Sequence, residues 1–340
     1  MSLDTTVPAG LARAWTAHLE DYVVSLAWSP DGTLVATASL GGAIHVLWSA
    51  HGAELTPLTG HPGGALAVAW SPDGQILASG GTDGAVRAWE RSSGVGATAA
   101  LGGGWVGALA WSAKGRQLAA AAGRDVVILD GDLEATGRWP DQPSTVSSLV
   151  WTADGGHVGA GCYGGVRWFE PGKNDVQRVF AWKGSVLRLA AAPNGKWLAS
   201  GNQDHSVHLW RLWSGDELEM TGYPVKVEHL DWHHTSRWLA VGNAEDVTVW
   251  DVSGKGPRGR RPKVLRGVTG KVTALAWQPA GDLLAAGSSD GDVLLWRSPR
   301  AGSPCATVAL GAEVSALAWS PDGTRLLVGS AAGHVTVVAV

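Results

Sequence analysis

A phrase of about 42 residues recurs along this chain, and its period limits the possible folds more than any other feature of the sequence. In its clearest copy, an apolar run ending at Trp70 is followed by the turn Ser71-Pro72-Asp73-Gly74, two more short apolar runs and the pair Trp89-Glu90. The equivalents of Trp70 form eight anchor positions, which are Trp28, Trp70, Trp111, Trp151, Ala191, Trp232, Trp277 and Trp319. Steps of 40 to 45 residues between anchors indicate one array of equivalent units, repeats one to eight, rather than two separate domains.

The composition fits a chain with a large apolar core and frequent turns, since 45% of residues are hydrophobic, 48 are glycine and 20 are tryptophan. The net charge of −4 gives no overall basic footprint for nucleic acid. Cys162 and Cys305 fall in different repeats, which favours a reducing compartment over a disulfide framework. The N-terminus lacks a signal-peptide pattern, and no run of about 18 apolar residues is present. We therefore expect a cytoplasmic protein without a membrane span.

Each repeat carries the pattern of a small antiparallel sheet. Val stands five residues before the anchor in seven of the eight repeats, and alternation places it on one face with the residue two positions further on. Each anchor indole can bury on the order of 200 Å². We therefore expect the anchor tryptophans to fill the gaps between neighbouring sheets.

The recurring anchor tryptophan, the Pro-Asp-Gly turn, the turn at Asp83-Gly84 and the closing Trp89-Glu90 resemble the WD-repeat family of β-propellers over nearly the entire chain. The resemblance implies an all-β fold, a single propeller of four-stranded antiparallel blades around a channel. Eight inner strands predict eight blades, and seven, the commoner number in the family, is the alternative. Residues 11–17 alternate like a strand, and the resemblance implies that they form the outer strand of the last blade and close the ring. The expected layout is a flexible tail at 1–10 and a propeller at 11–340, present as a monomeric ring.

Repeat two carries the family's full polar tetrad, His61, Ser79, Asp83 and Trp89. The resemblance implies a buried hydrogen-bond chain that holds the turns of the blade together. The same residue types occur in Ser-His-Asp catalytic triads, but the family's group is structural, so we expect no catalysis from it. Other repeats have lost members of the tetrad, which predicts that apolar packing and ring closure hold most blades.

Motifs for catalysis, metal ions and cofactors are missing from the sequence. It contains neither a Gly-rich phosphate loop nor a Cys-x2-Cys pair. The spacing of His205 and His208 predicts opposite faces of a strand rather than a metal site, and the pair His233-His234 is predicted to be solvated. We expect no catalytic residue, no metal and no cofactor, and hence a protein that is not an enzyme. An enzyme with its site at the channel mouth is an alternative.

One insertion, residues 253–263, explains the longest step between anchors and carries five basic residues and two prolines. By family analogy it lies on the broad bottom face, and we expect it to be exposed and flexible. A solvated connection is the simplest interpretation. Binding of nucleic acid or another anionic partner through residues 255–263 is the alternative, with nucleic acid the less expected of the two.

Function has to be argued from a site and not from the fold. In propellers of this family, partners commonly bind the narrow top face, built from positions four and six before the anchor and from the residue before the turn acid. Carried onto this sequence, the predicted partner-binding residues are Tyr22, Leu66, Trp105, Tyr163, Gln203, Lys226, Glu228, Lys271 and Glu313. Aromatic residues are frequent interface hot spots. We therefore predict a non-catalytic scaffold or regulatory subunit that binds a protein or peptide near Tyr22 and Trp105.

Overall fold

The computed structural model describes residues 11–55, 58–297 and 302–340, and within these ranges the chain forms strands and turns without a helix. The predicted tail at 1–10 lies outside the described residues. None of the described segments is a helix that is long and apolar enough to cross a membrane.

Repeats one to three follow the predicted order, in which an inner strand ends at the anchor and the chain then runs outward through antiparallel neighbours. The strand that precedes them is β1 (Ala12–His18). Their own strands are β2 (Val23–Trp28), β3 (Leu34–Ser39), β4 (Ile44–Trp48), β5 (Ala65–Trp70), β6 (Ile76–Gly81), β7 (Ala85–Glu90), β8 (Gly96–Ala100), β9 (Val106–Trp111), β10 (Leu118–Ala122), β11 (Asp125–Leu129) and β12 (Ala135–Trp139). In place of a regular outer strand, repeat one has isolated bridges from Leu47 to Glu54 and from Ile44 to Leu58.

Repeats four and five are joined in a single sheet. Their strands are β13 (Ser148–Trp151), β14 (Val158–Phe169), β15 (Val176–Ala191), β16 (Trp197–Asn202), β17 (Val207–Arg211) and β18 (Glu217–Met220). The chain bends inside β14 at Gly164 and Gly165, which both have positive φ, so that residues 158–161 pair with β13 and residues 165–169 pair with β15. β15 is continuous from the outer position of repeat four to the inner position of repeat five, where it pairs with β16.

Repeats six to eight complete the ring. Their strands are β19 (His229–Trp232), β20 (Trp238–Asn243), β21 (Asp246–Asp251), β22 (Lys263–Leu265), β23 (Val272–Trp277), β24 (Leu283–Ser288), β25 (Asp292–Arg297), β26 (Ala306–Ala309), β27 (Val314–Trp319), β28 (Arg325–Ser330) and β29 (His334–Ala339). β1 pairs antiparallel with β29, with Ala12 opposite Ala339 and His18 opposite His334. The sheet of repeat eight therefore contains strands from both ends of the chain.

Eight separate four-stranded blades, as the repeat count predicted, are not supported. The described strands form seven hydrogen-bonded sheets, the number given above as the alternative. Five of these sheets have four strands, the sheet of repeat one has three, and the sheet of repeats four and five has six. The physical reason for the merged sheet is β15, which carries hydrogen bonding from one repeat into the next without a break.

The inner strands surround the channel in a closed order. Each contacts the inner strand of the next repeat, from β2 through β5, β9, β13, β15, β19 and β23 to β27, and β27 contacts β2 again. Apolar clusters fill the wedges between sheets. One of them combines Ala119 and Ile128 of repeat three with Trp151 of repeat four. The core is therefore divided among the junctions between repeats.

Anchor tryptophans also couple neighbouring repeats through their indole nitrogens. Five of them donate Nε1–H to the backbone carbonyl that lies one residue before the preceding anchor. The pairs are Trp28 to Ala318 (2.9 Å), Trp111 to Ala69 (3.2 Å), Trp151 to Ala110 (2.8 Å), Trp232 to Ala190 (3.0 Å) and Trp319 to Ala276 (3.0 Å). Ala191 occupies the one anchor position that has no indole, and it lies at the end of the continuous strand β15.

The turn after the anchor is held by a repeated side-chain arrangement. In repeat two, Ser71 Oγ–H donates to Asp73 Oδ1 (2.6 Å), and Ser71 Oγ in turn accepts the N–H of Ile76 (2.9 Å). The hydrogen bond from Ser71, followed by that from the Gln75 backbone, lowers the pKa of Asp73. Ser29, Thr152 and Ser320 make the same pair of hydrogen bonds in their own repeats. This chemistry explains why the Ser/Thr-x-Asp sequence recurs.

Candidate partner-binding surface

The beginnings of the inner strands and the turns between the second and third strands lie at the same end of the ring, a surface we call the rim. Along it, the turn residue donates its backbone N–H to the carbonyl of the residue six before the anchor, at 2.8 to 3.0 Å. The pairs are Leu40 with Tyr22, Thr82 with Gly64, Gly123 with Trp105, Gln203 with Ser185, Ser289 with Lys271 and Ala331 with Glu313. These bonds join two of the predicted sets of positions into one continuous structure.

One part of the rim exposes large apolar side chains. Trp105 is 66% exposed, Tyr163 is 53% exposed and Leu40 is 46% exposed. Tyr163 reaches the rim from the bend in β14, where it lies opposite Ser185 and donates its backbone N–H to Ser144 Oγ (2.8 Å). Leu40 was not among the predicted binding residues, and the structure places it next to Tyr22, whose carbonyl accepts its N–H.

The other part of the rim is charged. Lys226 Nζ lies 2.9 Å from Glu228 Oε1, and both side chains are about half exposed. Lys271 and Glu313 are exposed as well. Burial, together with the nearby Glu313 carboxylate, raises the pKa of the Tyr22 hydroxyl. Tyr22 therefore connects the apolar part of the rim to the charged part and is present as the neutral phenol.

Two further predicted residues occupy different depths. Leu66 is half-buried on β5, and Gln203 is exposed in the turn that follows β16. Four residues that stand four positions before an anchor line a channel cavity of about 310 Å³, and these are Val24, Glu228, Thr273 and Ser315. The positions four before the anchor therefore face the channel, and those six before the anchor begin the inner strands at the rim.

Three side chains in or next to the channel wall were missed by sequence reasoning. The residue three before the anchor is Ser or Ala in six repeats but Arg188 in repeat five and His229 in repeat six. The residue one before the anchor is Ala or Val in seven repeats but Asp231 in repeat six. A position-by-position comparison of the repeats was the signal that could have found them. Arg188 and His229 line the channel cavity.

The Asp231 carboxylate bridges repeats six and seven. It accepts the backbone N–H of Trp277 (2.7 Å) and that of Trp232 (2.9 Å). Burial raises the pKa of Asp231 to about 6, although these two hydrogen bonds and the nearby Arg188 oppose the shift. Burial also lowers the pKa of His229. This part of the wall therefore holds a carboxyl group whose charged form is disfavoured by its surroundings.

The polar tetrad of repeat two is present as a hydrogen-bonded chain of three members. His61 Nδ1 lies 2.8 Å from Asp83 Oδ1, and His61 Nε2 lies 2.7 Å from Ser79 Oγ. Because a carboxylate can only accept, Nδ1–H donates to Asp83, and Nε2 accepts the hydroxyl hydrogen of Ser79. Arg87 Nη1 adds an ion pair with Asp83 Oδ2 (2.7 Å). Burial lowers the pKa of His61 against the opposing effect of Asp83.

The fourth member of the tetrad packs instead of bonding. Trp89 is buried against Leu34, Val46 and Leu77, and in the described part of the chain its indole nitrogen makes no hydrogen bond with Ser79. The His61 side chain is fully buried and hydrogen-bonded to Asp83. A Ser-His-Asp group closed off in this way has no access to a substrate.

Repeat five rebuilds a polar chain from other residues, so the expected loss of such networks does not hold there. Ser200 Oγ–H donates to Asn202 Oδ1 (3.1 Å), and Asn202 Nδ2 donates to Ser206 Oγ (3.1 Å). Ser206 Oγ–H then donates to Asp204 Oδ1 (2.6 Å). Asn202 and Ser206 together link the serine to the aspartate, as His61 does in repeat two.

The basic insertion is mostly exposed, as expected, but its middle packs against the neighbouring repeat. Gly256 and Pro257 are buried, and Gly256 has a φ of +95°. A Cβ at Gly256 would lie 2.5 Å from Leu218 Cδ1 and 3.3 Å from Trp197 Cη2. Arg260 Nη1 lies 2.6 Å from Asp251 Oδ1, which fixes the loop to the end of β21. The remaining basic side chains of the loop stay exposed.

Other histidines have structural partners. His233 was predicted to be solvated, but it is buried edge-to-face against Trp277, with Nδ1 2.7 Å from Thr235 Oγ1. His208 is buried with Nδ1 2.7 Å from Glu217 Oε1. Among the described residues there is no group of three or more His, Cys, Asp or Glu side chains placed to hold a metal ion.

Comparisons with known proteins identify the class that this geometry defines. The family model for the WD domain, G-beta repeat (WD40), matches residues 11–47, 52–90, 175–211, 259–297 and 304–337, together more than half of the chain. The fold is a β-propeller. The chain belongs to the WD40 family, whose members are typically non-catalytic interaction scaffolds or regulatory subunits.

Curated relatives match parts of the chain. Protein HIR1 of Cryptococcus neoformans is 31% identical over 133 residues, which cover 34% of this chain and 15% of the relative. The RACK1y small ribosomal subunit protein of Oryza sativa is 28% identical over 34% of this chain and 35% of its own length. The SEC13 homolog B transport protein of Arabidopsis thaliana is 29% identical over 29% of this chain and 36% of its own length. The matches therefore span about a third or less of these relatives.

A solved structure supports the fold over nearly the whole chain. The computationally designed Ika8 protein superposes with a TM-score of 0.83, covering 96% of this chain and 99% of its own. Sequence identity is 20%, so the likeness concerns the fold alone.

Proposed function

We propose that this protein is a non-catalytic scaffold or regulatory subunit that binds a protein or peptide partner through the rim. The observation that carries the proposal is the exposure of Trp105, Tyr163 and Leu40 on this surface, while Trp28, Trp151 and Trp319 are at most 8% exposed. Exposed apolar side chains grouped on one face, next to charged ones, are typical of interaction sites.

The two parts of the rim suggest how a partner is oriented. An apolar or aromatic anchor of the partner packs against Trp105 and Tyr163, which offer contact area at low entropic cost. Charged groups of the partner then meet Lys271 and Glu313, whose side chains are not paired with each other across the described rim. Opposite charges on one surface favour a single orientation of the bound partner.

Affinity capture from a native cell extract tests the proposal. The bait proteins are the wild type, a Tyr22→Ala/Trp105→Ala/Glu313→Ala variant, and a Trp48→Ala control at the opposite end of the ring, where Trp48 is 41% exposed. We expect a protein that is retained by the wild type and the control and lost by the triple variant. Equal retention by all three baits contradicts binding at the rim.

We further propose that the protein is a monomeric ring that spans residues 11–340 and works in the cytoplasm. Contacts between consecutive inner strands, including β27 with β2, support a single closed ring. Sedimentation equilibrium tests the monomer.

A further inference from the structure

A groove on the bottom face, between repeats five and six, is separate from the rim. It has a volume of about 620 Å³ and lies between β18 and the insertion at 253–262. An adjoining cavity of about 340 Å³ shares Glu217, Leu218, Arg258 and Arg260 with it. The two cavities form one continuous depression, called here the basal groove.

The wall formed by the insertion is preorganised. Arg260 Nη1 contacts Asp251 Oδ1 (2.6 Å), the Asp251 carbonyl (3.0 Å) and Ser253 Oγ (2.8 Å). Asp251 is held in turn by Arg237 (2.9 Å). These contacts anchor the backbone of the loop, and a preorganised backbone lowers the cost of binding.

Lys255 and Arg258 are the cations that this wall leaves open. Both line the groove and are exposed, and neither forms an ion pair with a carboxylate in the described ranges. Arg260 has its charge compensated by Asp251, and Arg211 on the other wall lies 3.8 Å from Asp216. The groove therefore presents two positive charges that no ion pair in the described ranges compensates.

The floor of the groove is apolar. Leu218 lines it and is half-buried, while Trp197 lies buried beneath Gly256. An occupant therefore needs negative groups for Lys255 and Arg258 together with an apolar group for the floor. A short acidic peptide segment with an apolar residue meets both requirements.

The opposite wall argues against a nucleic acid. It carries Asp216 and Glu217, and Glu219 lines the adjoining cavity, so that a continuous phosphate backbone would meet like charges. A peptide can direct its carboxylates toward the basic wall and present uncharged residues to the acidic wall.

We propose that the basal groove binds an acidic, partly apolar peptide segment of a partner protein, with Lys255 and Arg258 receiving its carboxylates and Leu218 its apolar side chain. The site is independent of the rim. It turns the basic insertion from a simple connection into a second binding surface.

An array of octapeptides tests this proposal. Each peptide carries several Glu or Asp residues and an apolar residue at varied positions, and a matched array carries Gln or Asn instead. The peptides that the wild type retains are then measured by fluorescence anisotropy with Lys255→Gln/Arg258→Gln and with Lys173→Gln. Lys173 is an exposed lysine in the equivalent bottom connection of repeat four, so it is the matched control.

We expect retention of acidic peptides only, a loss of about tenfold in affinity for the double variant, and no change for the control. A Lys255→Glu/Arg258→Glu variant should prefer the same peptides with Lys in place of Glu. Failure of the wild type to bind any acidic peptide, or equal affinity of the wild type and the double variant, overturns the proposal. Tighter binding of a single-stranded oligonucleotide, with a steep salt dependence, would replace the peptide with a nucleic acid and also overturn it.

Discussion

Trp151 and Trp105 lie in adjacent repeats, and the same residue type serves different purposes at the two positions. Trp151 ends its inner strand, is 8% exposed and donates Nε1–H to the carbonyl of Ala110 in the preceding repeat. Trp105 stands just before the start of its inner strand and is 66% exposed, and its backbone carbonyl accepts the N–H of Gly123. The position within the repeat, and not the residue type, decides between the core and the surface.

The difference teaches where stability and recognition lie in this ring. The anchor end of each inner strand is enclosed by the next sheet, so an indole there buries its area on folding. The rim end opens to solvent, so an indole there keeps its area for a partner. Four substitutions test this division, from the largest expected effect to the smallest.

Removing an anchor should cost the most. Trp151→Ala leaves a cavity between repeats three and four and deletes the bond to Ala110, so we expect a loss of about 3–5 kcal/mol in the free energy of unfolding. Urea unfolding monitored by circular dichroism measures it. A loss below about 1 kcal/mol in the free energy of unfolding would contradict the proposed difference between anchor and rim positions.

Asp231, which stands one residue before an anchor, can be tested through the pH dependence of stability. Its pKa is raised to about 6, so the folded state holds a proton that the unfolded chain releases near pH 4. Stability should therefore fall as pH rises from about 4 to 6, and Asp231→Asn should be more stable than the wild type at pH 7 by up to about 3 kcal/mol. Unfolding measured between pH 4 and pH 7 should show this gain disappear on the acid side.

Asp322 provides the matched control, with the opposite sign. The hydrogen bond from Ser320 lowers the pKa of Asp322. Its contribution is present above the unfolded pKa and is lost as pH falls, so Asp322→Asn should lose stability at pH 7 and little in acid. A stability difference between Asp231→Asn and the wild type that does not change with pH contradicts the raised pKa of Asp231.

The polar chain of repeat two should contribute less than an anchor. Ser79→Ala leaves the buried Nε2 of His61 without its partner, which predicts a loss of about 1–3 kcal/mol. Ser93, an exposed serine of the same repeat bonded to Glu90 (3.1 Å), is the control, and Ser93→Ala should change little. Equal effects of the two substitutions would contradict a structural role for the hydrogen-bonded chain of repeat two.

The rim should contribute least to stability. Trp105→Ala takes away a side chain that packs little against the ring, so we expect a change within about 0.5 kcal/mol in the free energy of unfolding. Thermal and urea unfolding measure it beside Trp151→Ala. A large loss would show that Trp105 belongs to the core.

Much of the fold follows from the period of the sequence, and the parts that do not follow have physical causes. The anchors and the Ser-Pro-Asp-Gly turns predicted the inner strands, because their chemistry repeats in each unit. The continuous strand β15 could not be predicted, because nothing in the sequence between repeats four and five indicates that the chain continues there without a turn. His233 was misjudged because packing on Trp277 depends on the neighbouring repeat. Positions at the rim could be derived from the repeat, but the exposure of Leu40 and Tyr163 depends on turns that depart from the pattern.

Titration of a captured partner against Trp105→Ala tests the central claim most directly. Isothermal titration calorimetry of the purified partner with the wild type and the folded variant gives the two affinities. The division between anchor and rim predicts that binding weakens by tenfold or more, as for an interface hot spot costing about 2 kcal/mol, while stability stays unchanged. An unchanged affinity in a folded Trp105→Ala protein would contradict the assignment of the rim as the binding surface.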